Sequence, residues 1–301
     1  MTHDHVTATG RHRRRLTVVL ALTLAIAALQ VVGGLVSGSL ALLADAGHMV
    51  TDAAGVAIAL GAATVATRPP TPRRTFGLLR AEVLAALANG LLLVVLAVWV
   101  VVEAVRRWAA PPEVTGGVML AVAVVGLAAN LVSLRLLHGG RHESLNVRGA
   151  YLEVLGDLLG SVAVVVSGVV VATTGWVRAD AVASVAIGAL ILPRAWSLLR
   201  TVLDVLLEAT PAHLDLEAVR RHIGETPGVL DVHDLHAWTI TSGVSALSAH
   251  VVVADDALAC GPDGAVLDEL SACLADHFAI EHCTFQLEPA GHTAHEGPHH
   301  D

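Results

Sequence analysis

The sequence contains no lysine; all 18 of its basic residues are arginine. That absence excludes a Walker A phosphate loop and a Schiff-base lysine, so neither P-loop nucleotide hydrolysis nor imine chemistry is open to the chain. There is no GxSxG nucleophile elbow, and the one HExxH string, HEGPH at 295–299, carries Gly297-Pro298 and makes no metalloprotease helix, which removes the commonest serine-hydrolase and zinc-protease readings. Charge is scarce: 15% of the 301 residues are charged and 54% are hydrophobic, against about 25% charged in ordinary soluble domains. With a mean hydropathy of +0.68, the composition is that of a membrane protein. Cysteine is rare too. Cys260, Cys273 and Cys283 have no paired spacing, so they imply no disulfide framework and fit a reducing compartment.

What is abundant is long apolar runs. About 20 helical residues cross the ~30 Å hydrocarbon layer, and six runs of that length occur, over 16–36, 40–66, 81–105, 114–137, 149–173 and 179–203. The first follows a basic start, RHRRR, but exceeds the ~7–15 residues of a cleavable signal, so it reads as a retained span. The expected organisation is an N-terminal tail (1–15), a six-helix membrane domain (16–204), a soluble domain (205–290) and a histidine-rich tail (291–301). Arginines cluster before the first span and in the second and fourth connections, whereas Arg106, Arg107 and Arg178 alone fall on the opposite side. The positive-inside rule then makes both termini cytoplasmic. Residues 205–301 hold 16 acids against two arginines, and 11 of the 17 histidines. Such a surface argues against nucleic acid and for metal cations.

Ionisable residues inside apolar spans carry the function. The second span holds Asp45, His48 and Asp52, and the fifth holds Glu153 and Asp157. Four carboxylates at bilayer depth cost roughly 10 kcal/mol together unless compensated. His48 and Asp52 are i and i+4, Asp45 is three residues before His48, and Glu153, Asp157 and Ser161 form a matching stripe. Two such faces supply four N/O ligands, the number Zn²⁺ favours. HMVTDAAG and EVLGDLLG echo each other, and Gly55 and Gly160 are expected to let the helices approach. Glu82, Asn89 and Glu103 on the third span read as structural, the two glutamates sitting near its ends. An intramembrane aspartyl protease would also use two buried acids, but leaves His48 unexplained. Metal ligands bind only when deprotonated, so loading such a site displaces protons. With an unperturbed His pKa near ~6.5, metal/proton exchange follows from the ligand chemistry.

Beyond residue 205, LDLEAVRRHIGE is helical in period and stops before Pro227-Gly228, while VLDVHDLHAWTI and ALSAHVVVA alternate like strands around TSG. A second helix near 263–278 and a strand through CTFQLE give the order α-β-β-α-β. THDH and GHTAHEGPHHD at the ends are polar and histidine-rich. The loop LHGGRHESLN offers only His138 and His142.

ADAGHMVTD, TFGLLRAEVLAALANG, EVLGDLLGS, ADAVASVAIGALI and HDLHAWTI, in this order over about residues 15–290, resemble the cation diffusion facilitator family of zinc-type divalent metal/proton antiporters. The resemblance implies six membrane helices, a cytoplasmic α+β ferredoxin-like domain, a homodimer and a transport site on the second and fifth helices. His48, Asp52 and Asp157 match the family's zinc ligands. Glu153 stands where zinc members usually have histidine, and manganese-type members tend to use aspartates in this motif. Asp45 is a possible accessory. In the soluble domain, His233, His250 and Glu288 match positions of cytoplasmic metal sites, with His236, His282 and Cys283 as further candidates and Gln286 where a histidine can occur.

The function expected is therefore not enzymatic. It is efflux of a divalent cation, Zn²⁺ first, in exchange for protons, with no cofactor and with the metal also a possible regulatory ligand. Membrane lipid and a second copy of the chain are the expected partners, and a bacterial inner membrane the expected location. The alternatives are an exporter preferring Mn²⁺, Co²⁺ or Fe²⁺, and a membrane metal sensor or scaffold that does not transport.

Overall fold

The computed structural model describes residues 8–138, 145–254, 265–280 and 282–292. The histidines of the two terminal segments other than His292, together with His142 and Cys260, lie outside the described residues. Six helices come first: α1 (Ala8–Ser37), α2 (Leu40–Ala66), α3 (Ala81–Ala109), α4 (Gly116–His138), α5 (Leu145–Thr174) and α6 (Arg178–Leu206). All six are long and apolar enough to cross a membrane. α1 starts at Ala8, within the stretch expected to be a tail. Arginine is a good helix former, so the helix runs back through a basic segment that an apolar-run criterion stops short of. α3 likewise continues to Ala109, with Arg107 Nε donating to Glu103 Oε1 at 3.1 Å across one turn.

The soluble part follows as α7 (Leu216–Gly224), β1 (Val229–Thr241), β2 (Val244–Val253), α8 (Ala265–Phe278) and β3 (His282–Pro289). The sheet order is β1-β2-β3, with β1 antiparallel and β3 parallel to β2. This is the expected α-β-β-α-β order with a small mixed sheet.

The chain divides into two compact units, one built on residues up to 59 with 87–199, the other on 60–86 with the chain from 200 onward. The core of the first contains Ala41, Leu42, Ala97, Met119, Ala123, Val164, Ile187 and Ile191. Its many small residues let helix backbones close on one another where lipid provides no hydrophobic drive for association. The start of α2 is capped from α6. Asp180, 2% exposed, accepts from Leu40 N at 2.7 Å, Ala41 N at 3.2 Å and Ser39 Oγ at 2.6 Å. One carboxylate thereby satisfies two of the amides that every helix N-terminus leaves without an intrahelical partner.

In the second unit, α7 is capped by Asp215, which accepts from Glu217 N and Ala218 N. Val219 and Ile223 of α7, Leu270 and Leu274 of α8, and Val232, Leu247, Val251 and Val253 of the sheet form its core. Strand alternation with two helices over the sheet explains the pattern. Within this unit Glu82 accepts from Thr241 Oγ1 at 3.0 Å, and Arg80 pairs with Glu208 at 3.2 Å.

Candidate metal centre

Helical periodicity places His48 and Asp52 one turn apart on α2, with His48 Nε2 3.4 Å from Asp52 Oδ2. Asp157 of α5 faces them, its Oδ1 3.8 Å from the same nitrogen. One donor atom from each of the three lies within 4.8 Å of both others. N and O ligands at ~2.0–2.2 Å from a tetrahedral ion stand ~3.3–3.6 Å apart, so the two separations measured from His48 Nε2 are within a few tenths of an ångström of those in a coordination shell. His48 and Asp157 are buried, at 6% and 4% exposure. Asp157 Oδ1 has no hydrogen-bond partner among the described residues. A buried acceptor left so costs about 1–3 kcal/mol, a cost that a bound cation removes.

Glu153, the fourth residue expected, stands outside that triplet. Its carboxyl lies beside the side chain of Asp52. Asp45 has a different role. Its Oδ2 accepts from Gln30 Nε2 of α1 at 2.7 Å and from Ser161 Oγ of α5 at 3.4 Å, and Ser161 in turn accepts from Asn130 Nδ2 of α4 at 3.0 Å. This buried network joins four helices beside the triplet. Gly160 is what admits it: a Cβ there would lie 2.7 Å from Asp45 Oδ1. Gly55 instead makes room on α2 for Asn89 of α3, whose side chain a Cβ would meet at 2.5 Å. Gly160 thus serves the expected α2–α5 approach, whereas Gly55 serves α3.

The sequence reading missed Arg194. Its Nη1 is 3.2 Å from His48 Nε2, and its charge acts on Asp52, Glu153 and Asp157. The signal was present: an arginine directly after Pro193 inside the apolar run AIGALILPRAW. The rule that intramembrane charges are expensive and functional applies to it as it does to the acids. Gln30 and Asn130 gave no such signal, being uncharged.

In the soluble domain the ladder brings a second set together. His233 of β1 lies opposite His250 of β2, and β3 pairs beside them. Glu288 Oε2 is 3.2 Å from His233 Nε2, and its Oε1 is 2.8 Å from His250 Nδ1. Gln286 Nε2 donates to Glu288 Oε1 at 2.7 Å, so it holds the carboxylate. The three donor groups fall within 4.8 Å of one another. The other candidates are elsewhere. A register shift between His233 and His236, with Asp234 at φ 47°, puts His236 opposite Ser248, where it lines a cavity with Arg74, Arg80 and Trp238. His282 packs edge-on against Phe76 at 5.7 Å. Cys283 is half-buried against the core, its thiol facing Ile280 O at 3.6 Å, and burial pushes that thiol up.

Residues 16–207 match the model of the cation efflux transmembrane domain, and residues 211–290 that of the cation efflux protein cytoplasmic domain. The metal cation efflux system protein CzcD of Cupriavidus metallidurans is 47% identical, over 96% of this chain and 90% of its own length. The zinc transporter ZitB of Escherichia coli is 43% identical, over 95% and 92%. A cadmium, cobalt and zinc/H(+)-K(+) antiporter of Bacillus velezensis is 37% identical, over 97% and 93%. Among solved structures, the metal-bound C-terminal domain of the C. metallidurans CzcD transporter is 47% identical, covering 25% of this chain and 99% of its own, with a TM-score of 0.23. Both domain matches, in this order and with relatives aligned end to end, place the chain in the cation efflux, or cation diffusion facilitator, family: multi-pass membrane transporters of metal cations, and not enzymes.

Proposed function

We propose that the chain exports Zn²⁺ in exchange for protons, with His48, Asp52 and Asp157 as ligands and Glu153 as the fourth member of the site. The observation that carries this reading is the convergence of three buried donor atoms within 4.8 Å, from two helices long and apolar enough to span a membrane. Zinc in the name of one relative, and zinc with proton exchange in that of another, support it. His48 favours zinc, while three carboxylates shift preference toward harder ions such as Mn²⁺, Co²⁺ or Fe²⁺. Residues 16–204 form the membrane domain between a tail at 1–15 and a soluble domain at 205–290, with 291–301 as a second tail. Both termini face the cytoplasm of a bacterial cell and the chain works as a homodimer. His233, His250 and Glu288 take a regulatory metal.

The test is metal flux into proteoliposomes, comparing Zn²⁺, Co²⁺, Cd²⁺ and Mn²⁺ for the native chain, Asp157→Ala and Glu153→His. Zinc is expected to move fastest in the native chain, and Glu153→His to sharpen that preference. Asp157→Ala is expected to lower flux at least a hundredfold while metal binding to the soluble domain persists. Fastest flux of Mn²⁺, reversed by Glu153→His, would overturn the zinc assignment. Binding without flux in the native chain would make the protein a sensor.

A further inference from the structure

The described residues contain a third cluster of metal-ligand side chains, which neither the transport site nor the strand cluster uses. We propose that His222, Cys273 and His277 form a metal site joining α7 to α8, taking a borderline or soft divalent ion such as Zn²⁺, Cd²⁺ or Co²⁺. The proposal does not rest on the transport reading.

Spacing supplies half of the site. Cys273 and His277 are i and i+4 on α8, so their side chains stand on one face a turn apart. α7 presents His222 from its last turn. His222 Nε2 lies 3.2 Å from His277 Nδ1, and Cys273 Sγ lies 3.9 Å from the same nitrogen. All three donor atoms are within 4.8 Å of one another. Zn–N at ~2.0–2.1 Å and Zn–S at ~2.3 Å put tetrahedral N···N near ~3.3 Å and N···S near ~3.6 Å. The two separations measured from His277 Nδ1 match these to within a few tenths of an ångström.

Hydrogen bonding alone accounts for the geometry poorly. His277 Nδ1 also lies 3.1 Å from the Cys273 carbonyl, so this nitrogen confronts an imidazole nitrogen, a sulfur and a carbonyl oxygen together. A proton on Nδ1 can point well at only one of them, and without it the lone pair can accept from the His222 N–H or the Cys273 thiol while the carbonyl oxygen still faces it. A cation bound by Nε2, Nδ1 and Sγ satisfies all three donors at once. Glu269, one turn before Cys273, adds negative potential that draws a cation in.

Two other uses of the cluster fit less well. Burial, then the carboxylates of Glu269 and Asp276, push the Cys273 thiol up, so without an ion it is neutral and a poor redox nucleophile. A purely packing role does not explain why His222 and Cys273 are only partly buried and His277 is exposed, open to ion entry from solvent. Phe278, edge-on to His222 at 5.5 Å, closes the site on its inner side. Two nitrogens and a sulfur suit thiophilic ions better than the oxygen-rich transport site does. An ion here staples residues 55 apart in sequence and stabilises the domain by linkage.

The test is Co²⁺ titration of the purified full-length chain, reading the cobalt–thiolate charge-transfer absorption and its displacement by Zn²⁺. The band is expected to saturate at about one thiolate-bound ion per chain, to persist in Cys260→Ser and Cys283→Ser, and to vanish in Cys273→Ser. His222→Gln and His277→Gln are each expected to weaken binding at least tenfold, with unchanged circular dichroism. Absence of the band in the native chain overturns the proposal, as does a band that disappears with Cys283 and not with Cys273. His222 is a partly exposed surface residue, so His222→Gln keeps the test decisive if Cys273→Ser misfolds: unchanged affinity in that variant overturns the site as well.

Discussion

Arg194 sets the charge of the transport site. One imidazole and three carboxylates, all ionised, make a donor set of −3 for an ion of +2. A guanidinium with Nη1 3.2 Å from His48 Nε2 returns one unit, so protein and ion balance. Two unit charges 4 Å apart interact by about 4 kcal/mol at an effective dielectric of 20, and solvent reaching the exposed stem of Arg194 reduces that. Replacing the charge by a neutral side chain of similar reach, Arg194→Gln, is therefore expected to tighten metal binding by about tenfold, or ~1.4 kcal/mol. Release should slow in proportion, so apparent KM and maximal flux fall together. Zinc flux at varied concentration reads both, and an unchanged KM would show that Arg194 does not feel the site. At this scale the sequence was legible wherever a charge sat at bilayer depth, as for His48, Asp52, Glu153 and Asp157. It was silent on uncharged partners such as Gln30 and Asn130, because an amide in an apolar run costs too little to stand out.

Among the helices, the junction of α2 and α6 is the one most concentrated in a single group. Asp180 accepts two backbone amides and the Ser39 hydroxyl, and Arg107 Nη1 lies 4.0 Å from its Oδ2 while donating to Gly38 O at 2.6 Å. Removing this carboxylate strands buried donors at the start of the helix that carries His48 and Asp52. Each hydrogen bond to a charged group is worth about 1.5–3 kcal/mol, so Asp180→Ala is expected to destabilise by about 3 kcal/mol or more. Asp180→Asn, which keeps an acceptor, should lose less. Thermal unfolding in detergent measures both, and equal stability of all three chains would refute the capping role. The helices were legible in the sequence because a span needs a long apolar run. The strands of the soluble domain were legible because they alternate. Pairing was less so: a one-residue shift flips every side chain of a strand, so the meeting of His233, His250 and Glu288 follows from ladder register. His236 stands two positions along the ladder, opposite Ser248 and not His250, and the shift at Asp234 that sets this pairing leaves no mark in the alternation. The meeting of His222 with His277 needs the packing of α7 beside α8, which no local pattern specifies.

At the scale of the whole molecule, export without nucleotide hydrolysis needs a second gradient. In the proposed mechanism the ligand set supplies the coupling, because His48, Asp52 and Asp157 would hold metal only when deprotonated. Acid on one side of the membrane therefore favours metal release there, and a proton flux in the opposite sense drives metal accumulation. Inside-acid proteoliposomes are expected to take up Zn²⁺ faster than vesicles without a gradient, and an exchanger that collapses the gradient should remove the difference. With the membrane potential clamped at zero, each proton exchanged per metal multiplies the final accumulation ratio by about ten per pH unit, since one unit is 1.36 kcal/mol. The slope of log accumulation against the imposed pH difference therefore counts the protons. A slope of at least one is expected if the ligands take up protons as the metal leaves. Glu153→Gln, which keeps a polar group of similar size beside Asp52 without a titratable carboxyl, should lower the slope while Zn²⁺ still moves. A slope of zero in the native chain would mean that metal crosses without proton exchange.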